Sequence, residues 1–192
     1  MANPNAPFGF SPVRKLGAAC QSIASNAYSI ASGYNTAIKK GDPVKQTGTG
    51  TNIALADAGD TATGVFGGCK YVDNQNRMIY TDYWPASAVT FDGTDAEATV
   101  YDDPTTIFEI QCDTLAKGDI GAHCDWVAGS GSTITQISGA TAGASSTATS
   151  GKGLRLLRLS ERLGNDYGAH AVAEVMFAEH TLLGVTSGAG GV

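Results

Sequence analysis

Thr106-Ile107-Phe108-Glu109-Ile110-Gln111-Cys112 alternates strictly: Phe108, Ile110 and Cys112 fall on one face, Glu109 and Gln111 on the other. That is the period of a half-buried β-strand. Leu154-Arg155-Leu156-Leu157-Arg158-Leu159 starts the same way, then slips phase at Leu157. A one-residue slip reads as a β-bulge, which bends a strand to turn a corner or close a barrel. Ala171, Ala173, Val175 and Phe177 share a face in Ala169–Phe177, and the Gly164-Asn-Asp-Tyr-Gly168 turn before it favours strand over helix.

Beyond these three stretches, short apolar runs recur about every ten residues with turn chemistry between them, the mark of an all-β sandwich or barrel. The remaining candidate strands are Tyr28–Ala31, Pro43–Lys45, Asn52–Leu55, Gly64–Val72, Arg77–Trp84, Glu97–Tyr101, Ile120–Val127 and Thr133–Ile137. Asp92-Gly93 is a strong turn dipeptide. Lys40-Gly41-Asp42 and Lys117-Gly118-Asp119 both introduce apolar runs and hint at two similar half-motifs. Ser138–Ser150, almost wholly Gly, Ala, Ser and Thr, reads as a mobile surface loop. Only Ala18–Ala31 offers a short helix. The expected fold is all-β: a compact β-barrel or jelly-roll-like sandwich with few short helices.

The N-terminus differs from this body. Met1-Ala-Asn-Pro-Asn-Ala-Pro-Phe-Gly-Phe-Ser-Pro-Val-Arg14 has three prolines and no helical or strand period. Proline removes backbone donors and extends the residue before it. Phe8, Phe10 and Val13 are too apolar for a solvated tail, so residues 1–20 read as an extended arm lying on a neighbouring surface. Residues 21–185 then form a single β domain, and 186–192 a flexible Gly-rich tail.

Composition narrows the function. Charged residues are 16% of the 192, against a typical ~25%. Net charge is −6 with scattered Lys and Arg, which argues against direct nucleic-acid binding, since phosphate neutralisation supplies most of that affinity. Cys20, Cys69, Cys112 and Cys124 form no C-x-x-C pair and have no histidine at zinc spacing, so buried free thiols are expected. No apolar run approaches the ~18 residues of a membrane span, and the start shows no secretory pattern. A soluble protein made in a reducing cytoplasm follows.

The chemical motifs each have an ordinary explanation. His123 and Cys124 are adjacent, so on a strand they face opposite ways, Cys124 inward. His170 and His180 are single and read as solvated. Asp102-Asp103-Pro104 resembles an acid–base pair and equally a turn start. Asp57, Asp60 and the Asp73–Asn76 run lack the spacing of a calcium loop. Ser146–Gly153 misses a phosphate-loop pattern at both ends. No catalytic residue, metal site or cofactor is assigned, and the chain is not read as an enzyme. Tyr80, Tyr83 and Trp84 form an aromatic cluster and a candidate contact surface.

Taken in order, the opening Met1–Arg14 segment, Gly41-Asp42-Pro43-Val44, Gly64-Val65-Phe66-Gly67-Gly68-Cys69, Trp84-Pro85, Asp102-Asp103-Pro104, Phe108-Glu109-Ile110-Gln111 and Ile120-Gly121 resemble a group of tailed-bacteriophage head proteins, the decoration or cement proteins. The resemblance implies a homodimer or homotrimer on the outer capsid surface, made in the bacterial host cytoplasm, that bridges capsomers of the major capsid protein. Pro7, Phe8, Phe10, Pro12, Val13 and Arg14 would form the capsid-contacting arm. A different class of reading is a virion-surface or tail-associated module that holds a host glycan or receptor through Tyr80, Tyr83 and Trp84. A hydrolase using Asp102 and Asp103 ranks below both.

Overall fold

The phase slip at Leu157 is a bulge. On the antiparallel ladder to Val172–Phe177 the register steps between Leu156 and Arg158. A second bulge, unannounced by any pattern, lies between Phe66 and Gly68 on the ladder from Gly64–Val72 to Ala96–Tyr101. These two bulged pairs organise a computed structural model that describes residues 3–17, 23–48 and 50–183.

The first strand is β1 (Ser11–Lys15). A first unit then contains β2 (Asn26–Ile30), β3 (Ile38–Lys39), β4 (Pro43–Gln46), β5 (Ile53–Leu55), β6 (Gly64–Val72), β7 (Met78–Thr81), β8 (Tyr83–Trp84) and β9 (Ala96–Tyr101). A second contains β10 (Thr106–Gln111), β11 (Thr114–Leu115), β12 (His123–Cys124), β13 (Trp126–Val127), β14 (Thr141–Ala142), β15 (Leu154–Leu159), β16 (Gly168–Ala169) and β17 (Val172–Phe177). The helical pieces among the described residues are 3₁₀ turns at Phe91–Gly93, Lys117–Asp119 and Thr181–Leu183.

The two units share a topology. Strand order is β2-β9-β6-β4-β5 in the first and β10-β17-β15-β12 in the second, where β13–β14 adds a separate hairpin ladder. Registers match across the bulges: Phe66 faces Val100 and Gly68 faces Thr99, as Leu156 faces Val175 and Arg158 faces Glu174. Both Lys-Gly-Asp turns have the same bonds. The Asp42 and Asp119 N–H groups donate to the carbonyls of Lys39 and Ala116, and each carboxylate accepts that same residue's N–H at 2.7 Å. Each unit also curls until its first strand meets its hairpin through one parallel bridge, Ser29–Asn52 or Cys112–Ala142. One bridge is not a ladder. The fold is all-β and sandwich-like, and the closed barrel is not realised.

Each unit has its own core. Ile30, Ile38, Val44, Phe66, Trp84 and Val100 fill the first; Phe108, Ile110, Trp126, Leu154, Leu156, Val175 and Phe177 are in the second. Strand alternation on β6 joins them, since Val65 packs into the second core while Phe66 packs into the first. Each buried indole N–H finds a carbonyl, Trp84 that of Tyr34 at 3.0 Å and Trp126 that of Ala56 at 3.4 Å, as buried indoles require.

Four expectations are corrected. The N-terminal segment is no separate arm: β1 pairs with β10, the Asn3 side chain donates to the Asp166 and Ala169 carbonyls, and Phe10 is 2% exposed, in the second core. Proline forbids a central strand, not an edge strand, and Pro12 sits at an edge beside a register shift. The short helix expected over Ala18–Ala31 does not form at Asn26–Ile30, which is strand, and 18–22 lie outside the described residues, like the 186–192 tail. Ser138–Ser150 is no free loop, since Ala140, Ala142 and Ala144 are buried. Its small residues allow backbones to touch: a Cβ on Gly129 would run into the Gly139 carbonyl. Thr133–Ile137 is a turn, closed by Ser132 Oγ accepting the Ile134 and Thr135 N–H groups.

Candidate functional site

The residues expected at an interface separate into pinned and free. Phe10 stacks on Phe177 at 5.3 Å between ring centroids, so it cannot reach a partner. Arg14 donates to Glu174 at 2.7 Å, and Lys15 pairs with Asp103 at 2.6 Å. The Arg162 guanidinium lies 4.7 Å over the half-buried Phe8 ring. Pro7 and Val13 are exposed, as is Leu16 just beyond β1, while Pro12 is half-buried. What the segment exposes is therefore Pro7, Val13 and Leu16, on and beside an anchored strand rather than on a flexible tether.

Glu174 is the centre of that anchor. It is buried beneath Arg14 and Arg158, each 2.7 Å away. Burial alone would raise its carboxyl; the two guanidiniums outweigh this and hold it below the usual carboxylate range. Asp103 is pulled down to about 2, first by Lys15 and then by the Thr105 hydroxyl.

The aromatic cluster also divides. Trp84 is fully buried in the first core, so it is withdrawn from the contact surface. Tyr83 is half-buried, and Tyr80 is 74% exposed on β7.

The would-be catalytic groups are committed to structure. Asp102 is buried and accepts from the Asn26 amide at 3.0 Å and the Tyr28 hydroxyl at 2.8 Å. Burial and that bond push the Tyr28 phenol up to about 12. Asp60 accepts the Asp57 N–H and the Lys45 ammonium, and Asp73 closes its own turn on Gln75 and Arg77. Lys152 pairs with Asp125 at 3.0 Å. Among the described residues no three His, Cys, Asp or Glu side chains gather as metal ligands.

Cys69, Cys112 and Cys124 are buried free thiols, each pushed up to about 12 by burial first; Cys20 lies outside the described residues. Cys124 points inward and His123 is half-buried. His180, expected in solvent, is instead buried against Phe177, its Nδ1 accepting the Leu182 N–H at 3.2 Å. Burial lowers its imidazole below the ordinary value. His170 is half-buried, with φ 59.

No helix among the described residues is long and apolar enough to cross a membrane. Comparison with protein families, curated proteins and solved structures finds no match for the chain.

Proposed function

We propose that this chain is a structural virion protein, a decoration or cement protein on the outer surface of a tailed-phage head. It would stabilise contacts between capsomers of the major capsid protein, as a homodimer or homotrimer, without a catalytic step or cofactor. The observation that carries the reading is the anchoring of β1, which ends the opening Met1–Arg14 segment that takes part in the resemblance. Phe10, Arg14 and Lys15 fix it to the body, leaving Val13 and Leu16 exposed beside a sheet edge that is unpaired among the described residues.

Anchoring changes the energetics of docking. A floppy arm gives up about 1–2 kcal/mol per residue on ordering, whereas this strand is ordered beforehand. Val13 and Leu16 are already about half covered by their own chain, so burying the rest contributes roughly 1 kcal/mol each. Two or three such strands on one oligomer multiply affinity roughly 10²–10⁴-fold through effective concentration.

The test is co-sedimentation with assembled heads that lack the protein. The wild-type chain binds them saturably at fixed stoichiometry. Val13→Asp combined with Leu16→Asp cuts occupancy about tenfold or more, the order of losing one apolar anchor, while the isolated chain melts as before. A wild-type chain that ignores the heads, or a double variant that binds them equally, overturns the proposal.

A further inference from the structure

The bulge step common to both units is filled in one and empty in the other. In the second unit it carries Leu157 and Arg158, with the Arg158 guanidinium lying on Glu174 at 2.7 Å. At the matching step of the first unit stand Gly67 and Gly68. Gly68 has φ 148, a conformation closed to most side chains, and a Cβ there would sit 3.1 Å from the Thr81 carbonyl. With no side chains at this step, a groove of about 740 Å³ opens over the outer face of β6. That lies within the ~300–1,000 Å³ range of small-molecule sites.

Strand pairing says what stands on each side. Lys70 of β6 lies between Glu97 of β9 and Tyr80 of β7, and Gly68 lies beside Thr99. Gln136 closes the groove from the second unit. The Lys70 ammonium holds the Glu97 carboxylate at 2.9 Å, and Lys40 holds Asp82 at 3.0 Å. The charges are thus matched in pairs and offer no net field to a free ion. Tyr80, largely exposed, presents an open ring to the same space.

We infer that this groove binds an oligosaccharide. A sugar ring has an apolar C–H face and an edge of hydroxyls that both donate and accept. Tyr80 supplies a flat surface for the face, because an aromatic phenol is apolar over its body and polar at its tip. Glu97 and Asp82 accept hydroxyl protons through charge-assisted bonds, and Lys70 and Gln136 donate to hydroxyl oxygens. The glycine floor lets a ring lie close to the backbone. An extended peptide fits less well. Cys69 and Lys70 are paired with β9 on one side and β7 on the other, so the floor there has no open edge for a ladder.

The groove does not depend on shell binding, and the test uses the full chain alone. Maltohexaose, cellohexaose and delipidated bacterial lipopolysaccharide are titrated by calorimetry, and amide shifts are followed by NMR. Saturable binding of at least one is expected, with shifts centred on Gly67, Gly68 and Thr99. Tyr80→Ala weakens that binding about tenfold, one aromatic contact's worth, while Tyr80→Phe keeps it and both variants melt like wild type. Binding of none of the three probes, binding indifferent to Tyr80→Ala, or shifts mapping elsewhere would overturn the assignment. Occupation of the groove by a second copy of the chain would do the same.

Discussion

Asn26, Tyr28 and Asp102 in the first unit occupy the register positions that Phe108, Ile110 and Phe177 occupy in the second. One set is a hydrogen-bonded carboxylate net; the other is an aromatic and aliphatic seat. The ladders beneath are alike, so the difference lies in what each end can receive. Phe10 enters the second, completing a cluster with Phe108 at 6.0 Å and Phe177 at 5.3 Å. The first has no apolar seat for it. A chain with two similar units therefore ties its N-terminus to only one.

The largest effect expected from this asymmetry is at Phe10. Phe10→Ala should cost about 3–5 kcal/mol, as for other phenylalanines deleted from a packed core. Tyr28→Phe, which removes one hydroxyl bond to the Asp102 carboxylate, should cost less, about 1.5–3 kcal/mol. Denaturant titration of both variants measures the contrast. Removal of residues 1–14 should likewise destabilise the body rather than trim it. Equal, small losses for the two substitutions would mean that the aromatic seat is not what holds the segment.

How much of this could be read from the residues depends on which side chains show their phase. Leu154–Leu159 shows its bulge because Leu and Arg differ in polarity, and the slip at Leu157 is visible. The matching bulge in Gly64–Val72 falls on Gly67-Gly68, which have no side chains to slip, so the same device is silent. The repeat itself surfaced only in the two Lys-Gly-Asp turns, where the aspartate must return its carboxylate to the backbone. Elsewhere polarity misled. Trp84 and His180 are amphipathic, and only tertiary packing decides whether such a ring turns inward. Small residues at 138–150 suggested mobility, yet small residues are also what close backbone contact demands. A period-based reading cannot find β1, because its ladder partner lies ~95 residues away and Pro12 breaks the pattern.

A smaller effect concerns the pH dependence of β1. Two carboxylates hold β1, Glu174 through Arg14 and Asp103 through Lys15, and both titrate below their ordinary values when folded. Depressed carboxyls stabilise the fold fully above the unfolded value of 3.8 for Asp103 or 4.5 for Glu174, and that contribution is lost as pH falls through the folded value, about 2 for Asp103. Hydrogen exchange of the β1 amides should therefore quicken relative to β6 between pH 5 and pH 2. Glu174→Gln should already show the faster β1 exchange at pH 5. Parallel behaviour of β1 and β6 across that range would show that the strand is held by Phe10 and its ladder alone.

The smallest expected effect concerns the connections leading into the last strand of each unit. The first unit uses residues 73–95 between β6 and β9, including β7 and β8; the second uses residues 160–171 between β15 and β17, with little more than β16. The shorter one still carries Leu163, fully exposed beside Gly164 at φ 78. An exposed leucine at a turn adds no burial on folding, so Leu163→Ser should shift stability by no more than about 0.5 kcal/mol. A thermal melt checks it. Because Leu163 is fully exposed among the described residues, a loss well beyond that figure points to a melting species that is an oligomer in which this tip is covered. Concentration dependence of the melting temperature then distinguishes an apolar tip that serves assembly from one that merely ends a turn.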